Sequence, residues 1–150
     1  MSKDMLGTFE ATVLELNKPT STGRIFSDTI GMEILSDPIL REQINNGGLP
    51  IFFDQDEAEP NNMMNIAGVV SDIKYDQEND SLETKCVVLN TPQGKVLNRM
   101  LIKDTPVSLS IRGNGETDEK HNVTKFEANS IGVFPFQKLW KNPIKNYKKD

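Results

Sequence analysis

Val107-Ser108-Leu109-Ser110-Ile111-Arg112-Gly113-Asn114-Gly115 alternates through Arg112, with Val107, Leu109 and Ile111 on one side and Ser108, Ser110 and Arg112 on the other. Successive side chains of an extended strand point to opposite faces. The stretch therefore reads as a strand with one apolar face and one face carrying two hydroxyls and a guanidinium. Asn114-Gly115 is expected to start a turn. A serine nucleophile needs a general base within hydrogen-bond reach and a third group to orient that base. Ser110 lies mid-strand on the polar face and is followed by Arg112-Gly113 as oxyanion donors, so it is the candidate nucleophile. Serines on the solvent face of a strand are also ordinary, and periodicity does not separate the two readings.

Working outward, Thr91-Pro92 announces a helix, a hydroxyl N-cap followed by proline where a missing N–H costs nothing. Val96, Leu97, Met100 and Leu101 give that helix one apolar face as far as Lys103. Before it, Asn65 to Tyr75 and Leu82 to Leu89 read as an antiparallel hairpin around the polar turn Asp76 to Ser81. Leu49 to Phe53 is a short apolar run, too short for a helix, and reads as a buried strand. Ile30, Ile34, Leu40 and Ile44 recur near helical spacing, with Pro38 dividing the segment and Asn45-Asn46-Gly47-Gly48 stopping it. Phe9 to Leu16 is a first strand, and Val123 to Val133 a last one. Six or seven strands in meander order and two or three helices imply an α+β fold. Its mostly antiparallel sheet is expected to curl into a barrel with the helices packed outside.

A chain of 150 residues fits one domain. The expected division is a domain over 1–136 and a basic, aromatic arm over 137–150, where Lys138, Lys141, Lys145, Lys148 and Lys149 interleave with Trp140 and Tyr147. Exposed aromatics beside charge are common interface anchors, so Lys138, Trp140, Lys141, Lys145 and Tyr147 are the candidate partner-binding residues. A net charge of −5 argues against a general nucleic-acid binder. The single Cys86, inside an apolar run, excludes an internal disulfide and reads as a packed, inert thiol. No stretch approaches the ~18 apolar residues of a membrane span, and no signal-peptide core opens the chain.

Several segments, in order, resemble the prohead (capsid-maturation) serine proteases of tailed bacteriophages, whose fold is related to the herpesvirus assembly protease. Gly23-Arg24-Ile25-Phe26 resembles the family's Asn-Gly-Arg-x-Tyr-type segment. Phe53-Asp54-Gln55-Asp56 is similar to its histidine-bearing loop, often Phe-Asp-His-Asp. Val88 to Lys95 resembles Leu-Asp-Thr-Pro-x-Gly-Lys, and Ser108 to Gly113 resembles the nucleophile segment Val-Ser-Ser-Arg-Gly. The resemblance runs from about Gly23 to Pro135 and places the nucleophile on Ser110 and the histidine position on Gln55.

An amide has no proton-accepting pKa near neutrality, so Gln55 cannot replace a histidine base. The family's orienting acid falls on Ala128 within Ala128 to Pro135. His121, the only histidine and the alternative base, lies in the charged stretch Glu116 to Asn122, which reads as a solvated hairpin loop. Asp54, Asp56, Glu57 and Glu59 crowd Gln55 but lack the glycine and glutamate spacing of a calcium loop, so no metal or cofactor is expected. The resemblance thus implies a phage virion protein, structural or capsid-decorating, with a protease-like fold and no catalytic base or acid. Its partners would be capsid or other head proteins, bound in multiple copies, with no membrane and no specific nucleic acid. Its location would be the virion, after synthesis in the host bacterial cytoplasm. The rival readings are an active maturation protease cleaving capsid and scaffold proteins, and an unrelated β-rich binding module.

Overall fold

The structure, a computed structural model, describes residues 4–53 and 65–150. Among these, seven strands and three helices follow in order: β1 (Met5–Glu15), α1 (Asp28–Ser36), α2 (Pro38–Asn45), β2 (Leu49–Phe53), β3 (Ile66–Asp76), β4 (Ser81–Leu89), α3 (Pro92–Ile102), β5 (Val107–Thr117), β6 (Val123–Pro135) and β7 (Ile144–Lys149). No helix is long and apolar enough to cross a membrane among the described residues.

The helices start where their caps direct. The Ser27 and Asp37 side chains accept from the backbone N–H groups of Ile30 and Ile39, and Pro38 opens α2, which is why the apolar run from Ile30 to Ile44 divides there. Thr91 Oγ1 accepts from Gly94 N at 2.9 Å and donates to the Ile66 carbonyl at 2.6 Å, tying the start of α3 to β3. A Cβ at Gly94 would run into the Leu89 carbonyl oxygen, so the glycine of the Thr-Pro-Gln-Gly-Lys segment lets helix and strand meet. Leu97 and Leu101 are buried from this helix, whereas Val96 is largely exposed.

One mixed sheet has the order β5-β6-β2-β3-β4-β1-β7. It is antiparallel except where β6 runs parallel to β2, pairing Ile131 with Ile51 and Val133 with Phe53. This replaces the expected meander. The apolar run Leu49 to Phe53 needs partners on both edges, and β6 supplies the second by inserting between β5 and β2. The α+β class holds, but the sheet is not closed into a barrel. β1 and β5 pack against each other, yet no ladder joins them among the described residues.

The tail spans that gap. Ser108 Oγ donates to the Gln137 carbonyl at 2.8 Å and accepts from Leu139 N at 2.9 Å. Trp140 Nε1 donates to the Leu109 carbonyl at 2.6 Å, and Thr12 N donates to the Pro143 carbonyl at 3.2 Å. Residues 144–149, expected to lie in an arm, then pair with β1 as β7, with Glu10 opposite Lys145 and Thr8 opposite Lys148.

Asn114-Gly115 does not turn. The β5–β6 ladder continues to Thr117 opposite Val123. The reversal comes instead at Asp118, whose Oδ1 accepts from the backbone N–H groups of Lys120 and Asn122 at 2.8 and 2.9 Å, a tighter local solution than Asn114 offers.

The core lies between the sheet and its helices, with α1 against β6 and β3 and α3 against β3 and β4. Cys86 is buried in it, and burial pushes its thiol up to about 12, as an inert cysteine requires.

Candidate functional site

A cavity of about 410 Å³ opens where the polar face of β5 meets the segment from Thr20 to Phe26 and the start of the tail. From β5 come Ser110, Ile111, Arg112, Gly113 and Asn114; Leu139 and Trp140 form the tail wall. The alternation read from the sequence is present here. Val107, Leu109 and Ile111 are buried on one side, while Ser110 and Arg112 are half-buried on the other. Ser108 belongs to the same face but is fully buried under residues 137–139, so only Ser110 of the two hydroxyls faces the cavity.

Gly113 has a geometric role. At its position the β5–β6 register shifts, Arg112 facing Ser130 and Gly113 facing Ala128, so that Asn129 is left out of the pairing. A Cβ on Gly113 would collide with the Glu127 carbonyl oxygen, which is why the bulge needs glycine opposite it. Asn129 then lines the cavity.

The second wall is built by a turn in which Thr20 N donates to the Arg24 carbonyl at 2.8 Å and Gly23 N to the Thr20 carbonyl at 2.9 Å. Gly23 sits there at φ +85°, a left-handed conformation that favours glycine. Ile25 N donates to the His121 carbonyl at 2.9 Å and Val123 N to the Ile25 carbonyl at 2.8 Å, docking this segment on the β5–β6 hairpin. Phe26 stacks edge-on against Phe126 with ring centroids 5.1 Å apart, and both reach the cavity with Arg24. The Gly23 to Phe26 segment is thereby brought to the Ser110 segment.

Burial disfavours the charged form of the Arg112 guanidinium, which nonetheless stays protonated at any pH of interest. No histidine, lysine or carboxylate belongs to the cavity lining among the described residues. His121 is exposed at φ +67° in the turn closing the hairpin, and it does not line the cavity. Thr117, beside that turn, is separated from Ser110 by about 20 Å of extended strand. Gln55 lies outside the described residues, as do Asp54, Asp56, Glu57 and Glu59. Phe53, at the end of β2, pairs with Val133, and Val133 pairs in turn with Leu109, the neighbour of Ser110. Ala128, on β6, presents only a methyl group opposite Gly113.

The tail residues divide. Trp140 is 5% exposed and Tyr147 half-buried, its hydroxyl donating to Asn98 Oδ1 at 2.6 Å, so both aromatics are engaged within the chain. Lys138 and Lys141 are exposed, and Lys145 Nζ lies 3.9 Å from Glu83 Oε1. Asn129 and the hydroxyls of Thr20, Ser21 and Thr22 had no signal in the sequence, because a bulge and a turn docked from afar bring them to the cavity. The glycine after Arg112 was the available hint.

No family model and no curated protein matches the chain. Among solved structures it is similar to the bacteriophage T4 capsid assembly protease, gp21, with a TM-score of 0.70 over 87% of each chain and 14% sequence identity. The fold is prohead-protease-like. At that identity the likeness concerns the fold, and the cavity beside Ser110 has to be read from its own residues. They offer four hydroxyls, two guanidiniums and amides beside aromatic rings, which suits binding of an oxyanion more readily than proton abstraction.

Proposed function

We propose that this chain is a phage head protein in which a prohead-protease-like fold has been kept for binding and assembly while catalysis has been lost. One observation carries the reading: the Ser110 hydroxyl stands in a cleft whose described lining holds no group able to take its proton, in a chain whose single histidine lies at the far end of the β5–β6 hairpin. Gln55 at the family's base position and Ala128 at its acid position support the same conclusion. Removing the base of a serine triad costs orders of magnitude in rate, and residual binding is what survives. The T4 neighbour is a capsid assembly protease, which favours capsid or other head proteins as partners, bound by several copies in the virion or during assembly in the host cytoplasm. The exposed Lys138, Lys141 and Lys145 would contribute to such contacts through charge.

The competing reading is an active protease, and the observation in its favour is that Ser110 is retained and reaches the cleft. A fluorophosphonate reagent decides between them. The proposed reading expects no labelling of the wild type above the level of Ser110→Ala; labelling lost only in Ser110→Ala would overturn it.

A further inference from the structure

We infer that copies of this chain exchange their tails, residues 137–149 of one copy seating on the body of a second with Phe136 as the hinge. The inference goes beyond the proposed function and holds whether or not Ser110 is catalytic.

The hinge is strained. Ser108 lies opposite Phe134 in the β5–β6 ladder, yet its hydroxyl bonds residues 137 and 139, so the chain reverses direction just after Pro135. Phe136 makes that reversal at φ +61°. The other non-glycine residues at positive φ among those described are Asn, Asp or His, the types that tolerate this conformation, whereas a bulky aromatic does not. Its phenyl group is 76% exposed, so the turn gains no burial in return. One backbone bond, Phe136 N to the Pro106 carbonyl at 2.7 Å, holds the residue in place. With Phe136 extended, the chain would continue along the line of β6 and carry the tail away from its own body.

The tail is also separable. Its attachments lie beyond the hinge: the bonds of Ser108, the Trp140 indole on the Leu109 carbonyl, Thr12 N on the Pro143 carbonyl, and the β1–β7 ladder. A second copy offers the same set, so exchange keeps these contacts and relaxes two hinges. Charge points to the same occupant. Five lysines against Asp150 give residues 137–150 a charge of +4, which leaves −9 on residues 1–136. A released tail is therefore steered to any body, its own or another. Leu139 and Trp140 line the Ser110 cleft, so after exchange the second copy would complete that wall.

The test measures the mass of the full chain by light scattering over an about hundredfold range of concentration, since association follows mass action. Samples are first incubated near the onset of melting, where tails release. The wild type should show a dimer that grows with concentration. Phe136→Gly accepts φ +61° without penalty, and its dimer should be about thirtyfold weaker, or about 1 kcal/mol for each of two hinges. Phe136→Pro is held at φ of about −65° and should be dimeric at the lowest concentration. A crosslink identifies the exchange. Thr8 and Lys148 pair across β1 and β7, close enough for a disulfide. Thr8→Cys and Lys148→Cys, made as separate chains and mixed, should join positions 8 and 148 between copies, as read by mass spectrometry. Cys86 is buried and stays out of the reaction.

Monomers at every concentration in both the wild type and Phe136→Pro would overturn the inference. So would equal dimerisation of the wild type and Phe136→Gly, or a dimer without the crosslink between positions 8 and 148. If Phe136→Pro does not fold, the wild type and Phe136→Gly decide alone, because glycine fits the observed backbone.

Discussion

The two ends of the sheet order, β5 and β7, are both attached to the tail, but by different means. At β5 the attachment is buried: Ser108 Oγ bonds residues 137 and 139, and the Trp140 indole fills the space beside Leu109. At β7 it is a short ladder to β1 supplemented by polar contacts at the surface, Asn146 to Glu10 at 2.6 Å, Lys141 N to Glu15 at 2.8 Å, and Lys145 near Glu83. The difference locates the energy. Desolvated apolar area and the buried indole hydrogen bond hold the tail at β5, while contacts at β7 compete with water and salt.

The most severe way to break the comparison is Trp140→Ala. Loss of a buried indole and its hydrogen bond costs about 3–5 kcal/mol, which for a domain of this size lowers Tm by about 10 °C or more. Amide exchange should then show both residues 137–140 and β7 opening, because one segment feeds the other. A melting temperature within a degree or two of wild type would mean that the β7 ladder holds the tail unaided. Ser108→Ala is the milder version. It removes the donor and the acceptor that the fully buried Ser108 hydroxyl offers to the part-buried backbone of residues 137 and 139, for about 1–2 kcal/mol, and it spares the indole.

That asymmetry also explains which parts were legible. β5 announced itself because a strand between core and cleft must alternate, and Thr91-Pro92 because capping chemistry is local. Ser110 and the Gly23 to Phe26 segment were singled out through their resemblance to a protease family, and the structure brings both to one cavity. β7 stayed hidden. Ile144-Lys145-Asn146-Tyr147-Lys148-Lys149 is an edge strand whose lysines face water, so it has almost no hydrophobic pattern to read. Trp140 was legible as an anchor, but whether an anchor fills the chain's own core or a partner's depends on a gap between β1 and β5 that only the tertiary structure reveals. The open sheet was missed for the same reason: closure by a strap and closure by a ladder leave the same local pattern.

Acid provides a way to sharpen the comparison, since carboxylates brace the β1–β4–β7 side, whereas among the described residues the tail's bonds to β5 are made by Ser108 and Trp140. Asp80 is the clearest case. Its carboxylate accepts from Asn17 Nδ2 and from the Tyr75 hydroxyl, both at 2.8 Å, and the Asn17 bond, followed by that of Tyr75 against the cost of desolvation, holds its pKa below the ordinary 3.8. With the folded value depressed, the stability it contributes is present above the unfolded pKa and is lost as pH falls from about 3.8 toward the folded value. Asp80→Asn should therefore melt lower than wild type at pH 6, and its Tm should fall less than that of wild type as pH is taken from about 5 to about 2.5. Parallel acid limbs in the two proteins would show that Asp80 makes no such contribution.

Lys145→Ala is expected to have the smallest effect. Glu83 is only 6% exposed, which at first suggests a buried ion pair of large value. Its Oε2, however, already accepts from Thr12 Oγ1 and Ser81 Oγ, both at 2.6 Å, so the carboxylate is satisfied without the lysine. Lys145 stands 3.9 Å from the other oxygen with 43% of its side chain exposed, a distance and a setting in which solvent screens most of the attraction. The substitution should cost no more than about 0.5 kcal/mol, and raising salt from 0.1 to 1 M, which shortens the screening length from about 10 to 3 Å, should erase even that difference. A loss above about 2 kcal/mol that persists in high salt would place the grip on β7 in this ion pair. The contrast between a buried attachment at β5 and a solvated one at β7 would then fail.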